Sequence, residues 1–594
     1  MYDTLKFLVQ HNDFQHELSF NRASNHLIQD FCNGSSFKNH PLFSNDPDAL
    51  QIIAYYDELE VTNPIGSYVH THKLGCLFFS LGNIRPQYRS SLKSIYLIAV
   101  AKYQDITRYG IDVFLRPFVQ DLKRLYIDGI AVTIGSTFKT YHGALLAFLA
   151  DTLAAHLLGG FKGSMSFAHR ICRTCMITKV AAQTCYSEDD SQCELRTPEK
   201  HEEQCQLLVG PDRATRSTEY GINRTSILEE VPGFSVVYGL PHDVMHDLFE
   251  GVVKYELLLF LPYCLSKGYF TIADLNSRLQ GYDFGPEDKP STFSLDDRHQ
   301  IHIRQSAAQM ISIVRNLPLL IADKIPESDD RWYSILLLIK ICQVALSPVV
   351  TPDTVPYLKV LIEEKLYLLH NLYPESTLKP KMHYLIHLPS QIERHGPLIH
   401  SWTMRHEAKL SFIKRASRRG NFKNICLSVA KHHQLWLCYH MNCTPHLIYP
   451  TLQCSPKLSE SHLRGEPLHI QSKILATIPT LTLDCIVKRP TWLKHHSSTY
   501  KHGSFVLIER DEMTPTFGKI TDILFISQCN SVFFMVENYQ AEYFSCHYNC
   551  FVIKSSFNMS LVNMESLHDH HALMIHTSFD VGDKCLYISL PSTY

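Results

Sequence analysis

The chain of 594 residues lacks a dominant charge: 56 Lys and Arg stand against 58 Asp and Glu, for a net charge of −2. That balance excludes attraction to nucleic acid over the whole surface and leaves such binding to local basic patches. The chain also lacks the dense, even cysteine spacing of a disulfide scaffold, since its 18 Cys are scattered. Its first residues, MYDTLKFLVQHNDF, have neither a basic lead nor a long apolar run. A reduced, intracellular, soluble protein is expected. No stretch reads as a membrane span: residues 143–161, GALLAFLADTLAAHLLGGF, approach the length but hold Asp151 and His156 near their centre. Internal repeats and low-complexity tracts are absent as well. What is there is ample core material, 45% apolar and 11% aromatic, and a length that predicts two to four domains. The 34 His mostly stand singly, as structural or surface histidines do.

The chain is organised around residues 49–66, ALQIIAYYDELEVTNPIG, a β-branched and aromatic run that carries Asp57 in its middle and closes at Asn63-Pro64 and Gly66. It reads as a buried strand presenting an acid. A lone carboxylate there needs a partner, a proton or a metal, unless Asp57 sits at an exposed strand end beside Glu58 and Glu60. Two further strand-like runs follow, 72–83 and 94–102, at the spacing of an antiparallel meander. Residues 110–128 place Val113, Phe114, Phe118, Leu122 and Leu125 near helical periodicity. A further strand or helix then carries Asp151. Beyond 241 the chain reads as mostly helical, and in 356–370 Leu358, Leu361, Ile362, Lys365, Leu366 and Leu369 trace one apolar face. Near the end, six strand-like runs between 504 and 590 read as a small all-β module with the character of a barrel.

Four groups of residues carry candidate chemistry. Asp57 and Asp151 lie in apolar runs separated by a meander and a crossover helix. That β-β-β-α-β order is the plan of a ribonuclease H-like core, in which the first and fourth strands are neighbours and their carboxylates can hold Mg²⁺. In GLPHDVMHDLFEG, Asp243 and His246 share one helical face with Glu250 a turn further on, as a site or as an N-cap with an ordinary helix pair. In SWTMRHEAKLSFIK, Glu407 sits on an expected helix, followed by Lys409, Lys414, Arg415, Arg418, Arg419 and Lys423, a basic face for phosphates or a solvated helix. His169, Cys172 and Cys175 form His-x2-Cys-x2-Cys, half of a tetrahedral zinc site or a pair of buried thiols. Its remaining ligands would come from Cys185, Cys193, Cys205 or a nearby His.

Taken in this order, YYDELEVTNPIG, GIDVFLRPFVQDLK, ALLAFLADTLAAHLLGGFKGSMSFAHRICRTC, LPHDVMHDLFEG and WTMRHEAKLSFIKR followed by NICLSVAKHHQ resemble the transposases of CACTA (En/Spm-type) DNA transposons and their animal relatives, over roughly residues 45–440. The resemblance implies a ribonuclease H-like DDE core interrupted by a helical insertion, cutting and joining DNA with Mg²⁺ or Mn²⁺. Asp57 matches the first acid, Asp151 the second, and Glu407 or Glu250 the third. Asp243 and His246 match the (Cys/Asp)-x-x-His motif and stand as cofactor-binding candidates. A nuclear homo-oligomer acting on transposon ends is implied, or a domesticated relative that binds DNA or protein without catalysis. Two features depart from the pattern: Asp247 stands where the plant proteins have Glu soon after Met-His, and the first catalytic strand comes early in the chain.

The expected organisation is a lead-in segment (1–48), the first part of the core (49–170), a Cys-containing insertion (171–221) and a mainly helical insertion (222–390). A last core helix with its basic segment (391–442), a linker (443–500) and a small β-barrel-like domain (501–594) follow.

Overall fold

Strand β1 (Leu50–Glu60) is buried on both faces along its first seven residues, which its Ile, Ala and Tyr content allows and its central position requires. It pairs antiparallel with β2 (Lys73–Leu81), which pairs antiparallel with β3 (Tyr96–Lys102). Its other edge takes β4 (Gly143–Leu149) in parallel, so the sheet order is β3-β2-β1-β4. The expected meander is present, and the parallel fourth strand arrives after helix α1 (Ile111–Ile127). This computed structural model describes the chain save residues 20–25, 62–72, 164–167, 286, 298–299, 418–422, 444–446, 449–451, 457, 496–497, 512–513, 568–570, 578–584 and 591–594. The turn at Asn63-Pro64 and Gly66 lies outside the described residues.

The architecture is mixed α/β, in two units. In the first, formed by Met1–Val253 and Lys340–Tyr449, the two faces of β1 serve different layers. Ile52, Ala54 and Tyr56 pack with Leu115, Phe118, Leu122 and Leu125 of α1. Ile53, Tyr55 and Leu59 face the other way, toward Leu410 and Ile413 of a later helix and Ile425 and Val429 of the next. Period-two alternation thus decides which residues of β1 meet which helix. On α1, Val113 is an exception to the expected apolar face, being 59% exposed. After β4, Asp151 caps the short helix α2 (Thr152–Gly159). Residues 171–221 are largely irregular, with short helices at Pro198–Gln206 and Arg213–Tyr220. Helix α3 (Thr354–Leu372) buries all six residues of its expected apolar face. Then come α4 (Leu388–His395), α5 (Met404–Ser417) and α6 (Ile425–Cys443).

The second unit, Lys254–Ile339 with Pro450–Pro591, joins two segments that the sequence places in separate domains. The helices of 254–339 belong with the C-terminal sheet rather than with an independent helical insertion. The indole N–H of Trp332 donates to His547 Nδ1 at 3.1 Å, and Tyr282 stacks on His576 at 4.4 Å. Most of the expected linker, from residue 450 to 500, is likewise part of this unit: it supplies β5 (Leu458–His462), β6 (Ile486–Pro490) and the helix Leu468–Thr477. The remaining strands match all six expected runs: β7 (Phe505–Glu509), β8 (Thr516–Ile526), β9 (Ser531–Ser545), β10 (Cys550–Asn563), β11 (Ile575–Thr577) and β12 (Leu586–Ile588). They do not close into the expected barrel. The order is β5-β6-β8-β9-β10-β12-β11 with β7 also on β8; its two end strands do not pair, and only a single bridge, Phe505 to Leu573, ties β7 to the segment before β11.

One buried ion pair fixes the N-terminal segment against the first sheet. Arg89 donates through Nη2 to Asp30 Oδ1 at 2.7 Å and through Nη1 to Oδ2 at 3.2 Å, and it also reaches the carbonyls of Gly82 and Ile84 just beyond β2. Asp30 in turn caps the turn Phe31–Asn33. Arg89→Ala strands a buried carboxylate and two carbonyls and is expected to destabilise the first unit by about 3–5 kcal/mol. Arg89→Lys, unable to fork, is expected to recover only part of that; urea unfolding followed by a probe in the first unit measures both.

Candidate functional site

The strand register sets the acids. Tyr55 of β1 lies opposite Leu149 of β4, so Asp57 and Asp151, each two residues on, leave the same end of two adjacent parallel strands. Asp57 shares the face of Tyr55 and is half-buried, neither fully enclosed nor part of a solvated end. Its Oδ1 accepts from the Glu58 N–H at 2.6 Å and its Oδ2 from the Tyr55 hydroxyl at 2.9 Å. Burial raises its carboxyl to about 6. The two hydrogen bonds oppose that shift, and the neighbouring charges of Asp151 and Glu407 add to it. Asp151 uses Oδ1 to accept from the Ala154 N–H at 2.6 Å, capping α2.

Glu407 comes to the pair on α5. It stands one turn before Leu410, which packs on the Tyr55 face of β1, and the ring of His406 beside it lies 4.7 Å from that of Tyr55, tilted by 33°. Glu250 does not join them and is exposed. The segment that carries it, Met245–Val252, is a π-helix, whose turn holds more than four residues, so the i, i+4 neighbourhood of an α-helix does not apply. Asp243 and His246 meet as expected: His246 Nδ1 donates to Asp243 Oδ2 at 2.6 Å. His246 Nε2 lies 3.0 Å from Glu407 Oε1, an ion pair whose N–H is not aimed squarely at the oxygen. Burial alone would lower this imidazole; Asp243 and then Glu407 outweigh it and hold it at about 11, so it is an imidazolium at neutral pH. Gly251 keeps this region close-packed. A Cβ there would lie 2.5 Å from Lys381 Cδ, and Lys381 donates to the His246 carbonyl at 2.7 Å.

The expected basic face is reduced. Lys409 is buried, its ammonium donating to the Leu92 carbonyl at 2.8 Å and lying 3.8 Å over the Trp436 ring. Lys414 is half-buried, while Arg415 and Lys423 are exposed; Arg418 and Arg419 lie outside the described residues.

The thiol pair is half of a four-residue cluster. Cys172, Cys175, His383 and His387 are all buried and bring their ligand atoms within 4.8 Å of one another. Cys172 Sγ lies 3.4 Å from His387 Nε2, Cys175 Sγ 3.2 Å from His383 Nε2, and the two Nε2 atoms are 3.3 Å apart. Tetrahedral zinc with ordinary Zn–S and Zn–N bonds separates such atoms by about 3.5 Å (S to N) and about 3.3 Å (N to N), so the cluster is able to hold a metal ion such as zinc. His387 Nδ1 donates to Glu188, and the Ser390 hydroxyl donates to the same carboxylate at 2.9 Å, which fixes the ring with Nε2 facing inward. Burial raises both thiols. At Cys172, contacts with Cys175 and the surrounding imidazoles reverse the effect and pull it well below the usual range, while Cys175 is pushed up.

His169 is exposed and takes no part in the cluster, whose other half comes from His383 and His387. Cys193 packs against Cys175 and Cys185 without being needed as a ligand, and Cys205 pairs with His201 at 3.6 Å. A signal for the missing half exists in the sequence: His383 and His387 in KMHYLIHLP are four apart, a spacing that complements one Cys-x2-Cys. Among the described residues this is the one group of three or more His, Cys, Asp or Glu gathered so tightly. The oxygens of Asp57, Asp151 and Glu407 stand further apart.

Buried polar contacts run between the two centres. Thr152, next to Asp151, donates to Asp247 Oδ1 at 2.8 Å, and Asp247 Oδ2 lies 3.6 Å from His242 Nδ1. His242 Nε2 is 2.9 Å from the Thr174 hydroxyl, between the two thiols in sequence, and its ring stacks on His387 at 5.7 Å. No family model matches the chain, and no curated protein matches it in sequence.

Two outcomes are expected here. Titrated with Co²⁺, the metal-free protein should bind one ion with the visible bands of tetrahedral thiolate coordination. Cys172→Ser should lose them, and Glu188→Ala should weaken binding by about ten- to a hundredfold. For Asp57, whose folded carboxyl lies above its unfolded value near 4, the native state holds the proton more tightly, so its stability falls as pH rises from about 4 to about 6. Asp57→Asn is therefore expected to stabilise the metal-free chain by on the order of 2 kcal/mol at pH 7 and by little at pH 4, as read from unfolding curves at both pH values.

Proposed function

We propose that the chain is a DDE-type, transposase-like protein that cleaves and joins DNA at a ribonuclease H-like core in which Asp57, Asp151 and Glu407 hold Mg²⁺ or Mn²⁺. The observation that carries this is the strand order β3-β2-β1-β4 with β4 parallel to β1, which sets Asp57 beside Asp151 and packs the Glu407 helix over the same face. Glu407 Oε1 is buried without an aligned donor, and burial together with the acidic neighbours raises the Asp57 carboxyl, so a divalent cation among the three would relieve both. The bound ions would activate a water or a 3′ hydroxyl and stabilise the leaving oxygen of an in-line attack on a phosphodiester. The chain's own contribution is to fix the acids: Asp57 through Tyr55 and Glu58, Asp151 through the first turn of α2, Glu407 through α5. Its partner is then DNA bearing transposon ends, handled by a homo-oligomer in the nucleus, as the resemblance implies.

The Cys2His2 cluster takes the structural zinc in this proposal. Four protein ligands leave no open position for a substrate or water, so its geometry suits a clasp and not a metal-dependent hydrolase. A second function, a relative that keeps the arrangement and binds DNA or protein without cutting, is favoured by one observation: the three carboxylates do not gather as tightly as the zinc ligands do.

The test is Mg²⁺- or Mn²⁺-dependent nicking and strand transfer on DNA carrying the element's ends. Wild type should be active, and Asp57→Asn, Asp151→Asn and Glu407→Gln should each abolish turnover while the first unit still folds cooperatively and keeps its zinc content, Asp57→Asn with the raised stability predicted above. Inert wild type, with DNA still bound, would support the binding protein instead; activity that survives Asp57→Asn and Asp151→Asn would place the chemistry elsewhere.

A further inference from the structure

We propose that His246 is a positioning residue that holds the Glu407 carboxylate at the acid site; this rests on the assignment of Asp57, Asp151 and Glu407 made above. Glu407 lies in the first turn of α5 with its side chain about a third exposed, so the helix fixes its backbone but not where its carboxylate points. Two links, both rooted in Asp243, supply what is missing.

The first runs through the backbone. Asp243 is 2% exposed, and its carboxylate accepts from the Thr403 N–H at 3.2 Å and from the Thr403 hydroxyl. The Glu407 N–H donates to the Thr403 carbonyl at 3.0 Å, so Asp243 anchors the residue from which the first turn of α5 springs. The second runs through the side chain. Asp243 Oδ2 accepts from His246 Nδ1 at 2.6 Å, and the opposite ring nitrogen faces Glu407 Oε1 at 3.0 Å. One buried carboxylate thus references both the main chain and the side chain of Glu407 to the same point. The His246 carbonyl accepts in turn from the Lys381 ammonium at 2.7 Å. His246 is assigned no contact with substrate, and its role differs from that of a cofactor ligand: its ring is engaged on both sides by carboxylates.

The experiment measures Mn²⁺ affinity by electron paramagnetic resonance and nicking rate on the zinc-loaded full chain. The variants are His246→Ala, His246→Gln, Glu407→Gln, Asp57→Asn and the double variant His246→Ala/Glu407→Gln. His246→Ala should lower both affinity and rate by about ten- to a hundredfold. His246→Gln, whose amide N–H reaches toward Glu407, should recover most of the loss. The double variant should be no worse than Glu407→Gln alone, since a residue acting through Glu407 has nothing left to act on.

Losses that multiply in the double variant, or wild-type behaviour of His246→Ala, would overturn the inference, as would equal loss in the Gln and Ala variants. Where Asp57→Asn and Glu407→Gln weaken Mn²⁺ binding and His246→Ala does not, the positioning role alone fails. Where Asp57→Asn and Glu407→Gln leave Mn²⁺ binding at the wild-type level, the acid site fails and the role of His246 fails with it.

Discussion

A carboxylate at the end of a strand buried on both faces must recover the hydration it loses, and much of the first unit is arranged around that requirement. Asp57 recovers part of it from the Tyr55 hydroxyl and the Glu58 N–H. The parallel arrival of β4 brings Asp151, and α5 brings Glu407, so that negative charge is concentrated where solvation is already reduced. The only cation that the described side chains bring to Glu407 as an ion pair is the imidazolium of His246, and Asp243 shares it. A cluster left this electronegative by its own fold is poorly explained as a device for stability, because nearby like charges raise the free energy of the folded state.

The sheet was legible in the sequence because its signal is local. A β-branched run carrying one acid, two more runs at hairpin spacing and a helix-period segment suffice to read β1, β2, β3 and α1, and the alternation along β1 assigns its faces. The face of α3 was equally plain, since six residues at helical spacing leave little ambiguity. Partners that depend on contacts distant in sequence were not legible. His383 and His387 are more than two hundred residues from the thiols they face, and nothing within the Cys-x2-Cys segment distinguishes them from the adjacent His169. Glu407 reads as the better third acid and Glu250 as the fallback; the packing of Leu410 brings the Glu407 helix onto β1, while Glu250 is exposed on the π turn. Lys409 reads as one of a row of surface cations, and only the fold shows the Trp436 ring and the Leu92 carbonyl that take it inside. Division into units failed for the same reason. The strands of 504–590 are legible one by one, but the helices that accompany them lie far earlier in the chain.

The acid cluster and the Cys2His2 cluster share a wall. Thr152, Asp247, His242 and Thr174 connect the residue after Asp151 to the residue between the two thiols, through groups that are buried or nearly so. From the other side, the helical stretch that carries His383 and His387 leads within twenty-odd residues to Glu407, and Gln391 on α4 bonds both the N–H and the carbonyl of His242. The middle link is an ion-pair approach and not a hydrogen bond: His242 Nδ1 and Asp247 Oδ2 are both buried without a hydrogen-bond partner. The segments that Cys172, Cys175, His383 and His387 bring together thus also reach the residue after Asp151 and lead on to Glu407.

The Cys2His2 cluster joins positions 208 residues apart, and everything between Cys175 and His383 is a loop closed by that clasp. The entropy lost on closing a loop grows only with the logarithm of its length, so doubling the intervening chain adds only about 0.6 kcal/mol. A clasp that short and that tight makes the first unit nearly indifferent to how much polypeptide is threaded through it. The helices of 254–339 lie inside that loop. Lengthening, trimming or exchanging them would change the closure cost of that loop little, provided the four side chains of the cluster and Glu188 remain.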